Sequence, residues 1–168
     1  MITGSFVSSF QGAPRATHDI DLVVAIPPDH IPPLVNAFPP PDYYLDELAV
    51  RDAVARRDMF NLLHVITGDK VDFWLVTDEP FDQSRFARRR ASDVMGMRMF
   101  FSAPEDTILQ KLKWAELCGG SEKQFIDALR VFELQRPKLD LAYMNDWAAG
   151  LGVTDLWQRV QDEAQPLP

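Results

Sequence analysis

The sequence predicts an α+β fold, in which a sheet with interleaved helices is followed by a helical C-terminal region. In the first two thirds of the chain, short β-type runs alternate with helical stretches, whereas the last third has helical periodicity throughout. The 168 residues make one domain of ordinary size, and a hydrophobic content of 46% is enough to fill its core. We therefore expect a single structural unit, with the core in residues 1–102 and the C-terminal helices, residues 103–168, packed on it.

Alternating apolar and polar residues predict the strands. The clearest strand spans residues 18–26 and stops at Pro27 and Pro28, because proline cannot donate a ladder hydrogen bond. A two-residue turn at Gly68 and Asp69 predicts a hairpin. The predicted strands are residues 18–26, 43–45, 61–67, 70–76 and 95–102.

Helical periodicity, capping residues and prolines predict the helices. Ser102 with Glu105, and Ser121 with Gln124, have the spacing of a capping box, in which side chains at the first turn satisfy free backbone N–H groups. Pro137 closes the second of these helices. The predicted helices are residues 6–10, 29–38, a stretch after 46, 80–90, 104–118, 121–136, 141–149 and 154–163.

Composition excludes several classes of function. One cysteine, Cys118, excludes an intrachain disulfide framework, and the three histidines show no metal-ligand spacing. The chain has no apolar run long enough for a membrane helix and no signal-peptide pattern, so we expect a cytoplasmic protein without a membrane partner. A net charge of −8 repels polyanions, so an anionic substrate must be bound locally.

Three acidic residues are candidates for metal ligation. Asp19 and Asp21 lie two positions apart on a predicted strand, so both side chains point to the same face. Paired carboxylates are oxygen ligands that Mg²⁺ accepts, although two exposed acids at the start of a strand would look the same. Asp72 lies on the second arm of the predicted hairpin, facing away from the aliphatic side, where it is either a third ligand or a lone acid in contact with water.

Two further features concern anions. Gly4 and Ser5 precede a predicted helical turn, so their N–H groups are candidates for phosphate binding, or Ser5 is simply an N-cap residue. A run of arginines is either a contact for RNA phosphates or a solvated helix face. It comprises Arg85, Arg88, Arg89 and Arg90.

These elements, in this order, resemble the nucleotidyltransferase superfamily that includes DNA polymerase beta. The similarity is to its small prokaryotic branch of AbiEii-type and minimal nucleotidyltransferases. It covers roughly residues 1–135 and implies a mixed β-sheet flanked by helices. The motifs that carry it are Gly4-Ser5, Gly12, Pro14-Arg15, Thr17, Asp19-Ile20-Asp21-Leu22, Val71-Asp72-Phe73 and Pro104-Glu105-Asp106 leading to Lys111.

The resemblance implies transfer of a nucleoside monophosphate from a nucleoside triphosphate to an acceptor hydroxyl, with two Mg²⁺ ions. By residue match, Asp19, Asp21 and Asp72 are the catalytic metal ligands. Gly4 and Ser5 would hold the phosphates, with Arg15, Thr17 and Lys111 as further nucleotide-binding residues. Members use RNA, including tRNA, proteins or small molecules as acceptors, and a toxin of a toxin–antitoxin system would have an antitoxin protein as partner.

Other interpretations stay open at the level of sequence. The acidic residues also suit metal-dependent phosphodiester hydrolysis, and the fold also suits a non-catalytic binding module. Arg15 reads equally as a surface-loop arginine, Thr17 as a turn residue and Lys111 as part of a solvated helix face. Asp127 pairs with Lys111 if their helices are adjacent.

Overall fold

The computed structural model describes residues 1–17 and 19–165, which form one sheet and eight α-helices. His18, the first residue of a predicted strand, lies outside this part of the chain. The strands are β1 Ile2–Thr3, β2 Asp19–Val24, β3 Tyr43–Tyr44, β4 Met59–His64, β5 Lys70–Leu75, β6 Arg90–Val94 and β7 Met97–Phe101. The helices are α1 Gly4–Gln11, α2 Ile31–Asn36, α3 Glu47–Arg56, α4 Pro80–Ala87, α5 Pro104–Leu117, α6 Glu122–Gln135, α7 Leu141–Gly150 and α8 Thr154–Glu163.

The sheet is mixed, and its seven strands run in the order β3-β4-β5-β2-β1-β7-β6. The pairs β2–β5 and β1–β7 are parallel, and the other neighbours are antiparallel. This arrangement confirms the predicted α+β class, with a mixed sheet flanked by helices and helices at the C-terminal side.

One face of the sheet is apolar because side chains alternate along each strand. Phe60 of β4 stacks on Phe73 of β5 with ring centroids 4.8 Å apart, and both pack with Val50 of α3 and Ile31 of α2. Burial of these side chains stabilises this side of the sheet by the hydrophobic effect. The opposite face of β2 and β5 is therefore left to carry polar groups.

The C-terminal helices form a second core. Phe125 and Phe132 of α6 and Ile108 of α5 are each at most 1% exposed, and Trp157 of α8 packs edge-on against Phe132. Phe81 of α4 belongs to the same cluster. The helical core thus includes a residue from before position 103.

Helix α1 joins the sheet to the C-terminal helices. The Gln11 amide donates to the Ser102 carbonyl (2.7 Å), and Gln135 of α6 donates to the Gln11 carbonyl (2.9 Å). A Cβ at Gly12 would lie 2.9 Å from the backbone nitrogen of Val131, so the chain leaving α1 packs directly on α6. No helix among the described residues is long and apolar enough to cross a membrane.

Two strand predictions are wrong in detail. Helix α4 ends at Ala87, and the polar residues 90–94 form edge strand β6, which pairs with β7 through a turn at Met95 and Gly96. The turn between β4 and β5 is longer than the predicted pair Gly68-Asp69, because β4 ends at His64. A sheet edge tolerates polar side chains on both faces, so β6 lacks the alternation that marks inner strands.

Both predicted capping boxes are also wrong. Helix α5 has Ala103 at its N-cap, and neither Ala103 nor Ser121 makes a side-chain cap. The Glu105 carboxylate instead accepts hydrogen bonds from Arg90 (3.1 Å) and from the backbone of Asp140 (3.3 Å). Charge pairing of a buried carboxylate outweighs a local cap.

Candidate functional site

The polar face of the sheet brings two of the predicted acids side by side. Asp21 of β2 and Asp72 of β5 are direct partners in the parallel ladder, so their side chains point to the same face. Asp19 lies two residues before Asp21 on that face, and its ladder partner is Lys70. The indole N–H of Trp74 donates to Asp21 Oδ1 at 3.3 Å.

Asp72 is buried, contrary to its interpretation as an acid in contact with water. The residue is 8% exposed, and its Oδ1 is buried without a hydrogen-bond partner among the described residues. Its Oδ2 lies 2.9 Å from the Lys70 ammonium, which is 4.0 Å from Asp19 Oδ1. The hydrogen bond from Lys70 to Asp72 raises the pKa of the Lys70 ammonium, so it is fully charged at neutral pH.

The Asp21–Asp72 pair fits a hard divalent cation, because two carboxylates share a face and one buried carboxylate oxygen has no partner. Within the described residues, however, no group of three or more His, Cys, Asp or Glu side chains is placed to hold a metal ion. Lys70 stands between Asp19 and Asp72. The positive charge beside these carboxylates belongs to Lys70, which the sequence did not indicate as a site residue.

The N-terminus of α1 lies against Asp21. Gly4 begins the helix with φ +68°, and a Cβ on Gly4 would overlap the Asp21 carboxylate, 2.6 Å from its Cγ and 2.8 Å from its Cβ. Glycine is therefore required at this position both for its backbone and for space. The helix has Thr3 at its N-cap without a side-chain hydrogen bond, so Ser5 is inside the first turn rather than the N-cap.

Ser5 lies at the centre of a buried charged network. Its Oγ accepts hydrogen bonds from Arg15 (2.7 Å) and Lys111 (3.3 Å). Both cations also bind Asp127 Oδ2, each at 2.8 Å, and Arg15 Nε donates to Asp127 Oδ1 at 2.9 Å. Arg15 is thus held by α6 rather than free on a loop, and Lys111 is buried rather than solvated. Because the Ser5 oxygen accepts from two cations, its hydroxyl proton remains available to an anionic ligand.

Asp127 and Lys111, the two helical residues of this network, shift each other's pKa. Burial raises the pKa of the Asp127 carboxyl, but hydrogen bonds from Arg15 and Lys111 outweigh burial, and the net pKa is below the ordinary value. Burial lowers the pKa of the Lys111 ammonium more than its hydrogen bond to Asp127 raises it. Burying a charged lysine costs free energy, so an anionic ligand near Lys111 would stabilise its charged form.

A pocket of about 250 Å³ opens beside this network, between the polar face of the sheet and helices α4, α5 and α6. Asp21 lines it, whereas Asp19 and Asp72 do not. Trp74 and Trp114 meet edge-to-face in its wall, with ring centroids 5.9 Å apart. The residues that line it are Thr3, Gly4, Ser5, Asp21, Val23, Trp74, Arg85, Thr107, Gln110, Lys111, Trp114 and Gln124.

Two further sequence predictions concern Thr17 and the arginine run. The Thr17 hydroxyl donates to the Asp19 carbonyl (3.3 Å), as a turn residue does, and Thr17 does not line the pocket. The arginine run is not a solvated face at Arg85 or Arg88, whereas the Arg90 side chain is 54% exposed. Arg85 is 7% exposed, and Arg88 pairs with Asp106 (3.4 Å).

Comparison with known proteins shows a likeness among solved structures. No protein-family model matches the chain, and no curated protein matches it significantly. Among solved structures, it is similar to an antigenic nucleotidyltransferase-like protein from Paracoccidioides brasiliensis. The TM-score is 0.43 and the identity 16%, over 90% of this chain and 83% of that one.

Sequence reasoning found Lys111 but missed the other pocket residues of α5. Thr107, Gln110, Lys111 and Trp114 have the spacing i, i+3, i+4, i+7, so they share one helix face. A mainly polar stripe on a buried helix indicates a pocket, because a helix face that packs on a core is normally apolar. This stripe was the signal by which the sequence could have identified these residues.

Proposed function

We propose that this protein is a nucleotidyltransferase that transfers a nucleoside monophosphate from a nucleoside triphosphate to an acceptor hydroxyl. The observation that carries the proposal is the position of the Ser5–Lys111 anion site directly beside the Asp21–Asp72 carboxylate pair. Phosphoryl transfer requires an anion site that holds the leaving phosphates and carboxylates that act at the reacting phosphorus.

Each group has a role in this reaction. The Ser5 hydroxyl and the N-terminus of α1 bind phosphate oxygens, and Lys111 neutralises their charge. The Asp21 carboxylate, the member of the Asp21–Asp72 pair that lines the pocket, takes the acceptor's proton while the acceptor oxygen bonds to the α-phosphorus. The bond from that phosphorus to the bridging oxygen breaks, and pyrophosphate leaves with the electron pair. Asp21 and Asp72 would hold Mg²⁺, which when bound would lower the acceptor's pKa and neutralise developing charge.

The direct test follows label from a nucleoside triphosphate labelled at the α-phosphate. Full-length protein with Mg²⁺ should transfer the label to an RNA such as tRNA, to a protein or to a small hydroxyl compound. Asp21→Asn and Asp72→Asn should reduce the rate by roughly two orders of magnitude or more, since metal coordination supplies several kcal/mol. Asp29→Asn is the matched control, because Asp29 is 82% exposed on its side chain.

Three outcomes would contradict the proposal. RNA cleavage without label transfer would indicate a phosphodiesterase. Nucleotide binding without any reaction, unchanged in Asp21→Asn, would indicate a binding module. Transfer that persists in both aspartate variants would remove the assigned site. Transfer to tRNA that a neutralising partner protein suppresses would extend the proposal to the AbiEii-type toxins that the sequence resembles.

A further inference from the structure

Arg85 combines deep burial with an incomplete set of partners. Its side chain is 8% exposed, and Nε donates to Asp82 Oδ1 at 2.8 Å. Among residues 1–17 and 19–165, no acceptor binds Nη1 or Nη2. Neither nitrogen is fully enclosed, and Arg85 is one of the residues that line the pocket. A buried guanidinium with two unpaired donor groups is costly unless a ligand completes it.

The partner of Arg85 fixes which side of the guanidinium is presented. Asp82 Oδ2 accepts a hydrogen bond from the Thr77 hydroxyl at 2.6 Å. Burial raises the pKa of the Asp82 carboxyl, but the charge of Arg85 and the hydrogen bonds outweigh burial, so Asp82 remains ionised. Since Asp82 binds Nε, the fork formed by Nη1 and Nη2 is the free end. A planar fork of this kind binds two oxygens of one phosphate group.

Arg85 is the second cation of the pocket. Lys111, together with Ser5, lines the pocket from α5 and α1, whereas Arg85 comes from α4. Two cationic contacts on separate helices suit a ligand with more than one anionic group.

We propose that Arg85 binds the polyphosphate chain of the nucleoside triphosphate, with its free guanidinium fork opposite Ser5 and Lys111. The choice of a nucleoside triphosphate rests on the proposed function, whereas the affinity of Arg85 for a polyphosphate rests on the pocket alone. Pyrophosphate is the smallest probe with two linked phosphate groups. A nucleoside without phosphates is the matching control.

The test is titration calorimetry on the full chain in EDTA, so that neither metal nor turnover contributes. Wild-type protein should bind pyrophosphate and the nucleoside triphosphate. Arg85→Gln should weaken both by roughly tenfold or more, because a charge-assisted hydrogen bond is lost, and should leave binding of the nucleoside unchanged. Arg85→Lys keeps the charge but not the fork, so it should lose part of the affinity even where Arg85→Gln fails to fold. Circular dichroism establishes folding of each variant.

Arg56→Gln is the control for net charge. Arg56 is 72% exposed on α3 and pairs with Asp52, so the variant should bind pyrophosphate as wild type does. Wild-type affinity in both Arg85 variants, or no pyrophosphate binding by the wild type, would overturn the proposal. Arg85-dependent binding without label transfer would contradict only the proposed function. Label transfer with Arg85-independent binding would contradict only this inference.

Discussion

Gly4 and Asp21 restrict each other, because the backbone of one occupies the space beside the carboxylate of the other. We expect Gly4→Ala to displace Asp21 and to abolish most label transfer. The same substitution should lower the free energy of unfolding by about 1–3 kcal/mol, since it adds steric overlap to an unfavourable φ. Urea unfolding and the transfer assay measure the two effects.

Gly68→Ala is the control for this prediction. Gly68 also has a positive φ, +75°, but a Cβ there would meet no atom within 4 Å. It therefore carries the backbone cost without the overlap. Equal loss of transfer in the two variants would show that the contact with Asp21 is unimportant.

Lys70 gives a second prediction at this scale. Its ammonium lies between Asp19 and Asp72, so it competes by charge with a divalent cation. Lys70→Met should lower the dissociation constant for Mg²⁺ roughly fivefold or more, since a unit charge at a half-exposed site contributes about 1 kcal/mol. Magnesium titration of the protein without nucleotide measures it. Lys138→Met, at an exposed residue, is the control, and equal affinities would refute the competition.

The sequence identified some of these residues and not others for a physical reason. Asp19 and Asp21 were visible because alternation along one strand places them on one face. That Asp72 is the direct neighbour of Asp21 depends on parallel pairing of β2 with β5, which no local pattern specifies. Arg85 was hidden in a basic run because burial, unlike charge, is decided by which helices pack around it.

The contact of α1 with α5 and α6 is an ionic junction between elements. Asp127 on α6 accepts hydrogen bonds from Lys111 on α5, from Arg15 after α1 and, at 3.4 Å, from Ser8 of α1. Removing one partner of a buried pair leaves the other charge uncompensated. The junction therefore contributes to stability as well as positioning Ser5.

The lowered pKa of Asp127 sets the pH dependence of this contribution. A carboxyl whose pKa is lower in the folded state stabilises the fold above its unfolded pKa, near 3.9, and this stabilisation is lost as the pH falls through the folded pKa. Asp127→Asn should be less stable than wild type by about 3 kcal/mol at pH 7. The two should begin to converge below about pH 4 and should meet only once the pH is below the folded pKa. Urea unfolding at several pH values tests this, and a constant difference would contradict it.

Elements were predictable where a single pattern determines them. Strand β2 and helices α5 to α8 follow from alternation and helical periodicity, and their bounds lie close to the predicted ones. Strand β6 was missed because an edge strand with the sequence Arg-Ala-Ser-Asp-Val has no apolar face. The capping box at Ser102 failed because Glu105 pairs with Arg90 of another element, which a local motif cannot reveal.

At the scale of the molecule, two cores share the chain without a boundary that separates them. The sheet packs on α2 and α3, whereas the second core lies between α5 and α8 and takes Phe81 from α4. Polar contacts join residues before position 103 to residues after it, including Arg88 over the ring of Tyr143 at 3.8 Å and the Tyr143 hydroxyl 3.1 Å from Ser84 Oγ. Removal of residues 103–168 would take away the helices against which α1 and α4 pack.

We therefore expect residues 1–102 and 103–168 to unfold together in one transition. Scanning calorimetry should give a calorimetric enthalpy equal to the van't Hoff enthalpy, and the far-ultraviolet and near-ultraviolet signals should change at the same urea concentration. Tyr143→Phe, which removes the hydroxyl in contact with Ser84 of α4 and Asp106 of α5, should lower the single midpoint rather than split it, since that hydroxyl joins residues on both sides of position 102. Two separate transitions in the wild type, or loss of only the helical signal in Tyr143→Phe, would show that the two regions are independent domains. In that case the site between the sheet and α5 would open and close as a cleft instead of being held by a single cooperative structure.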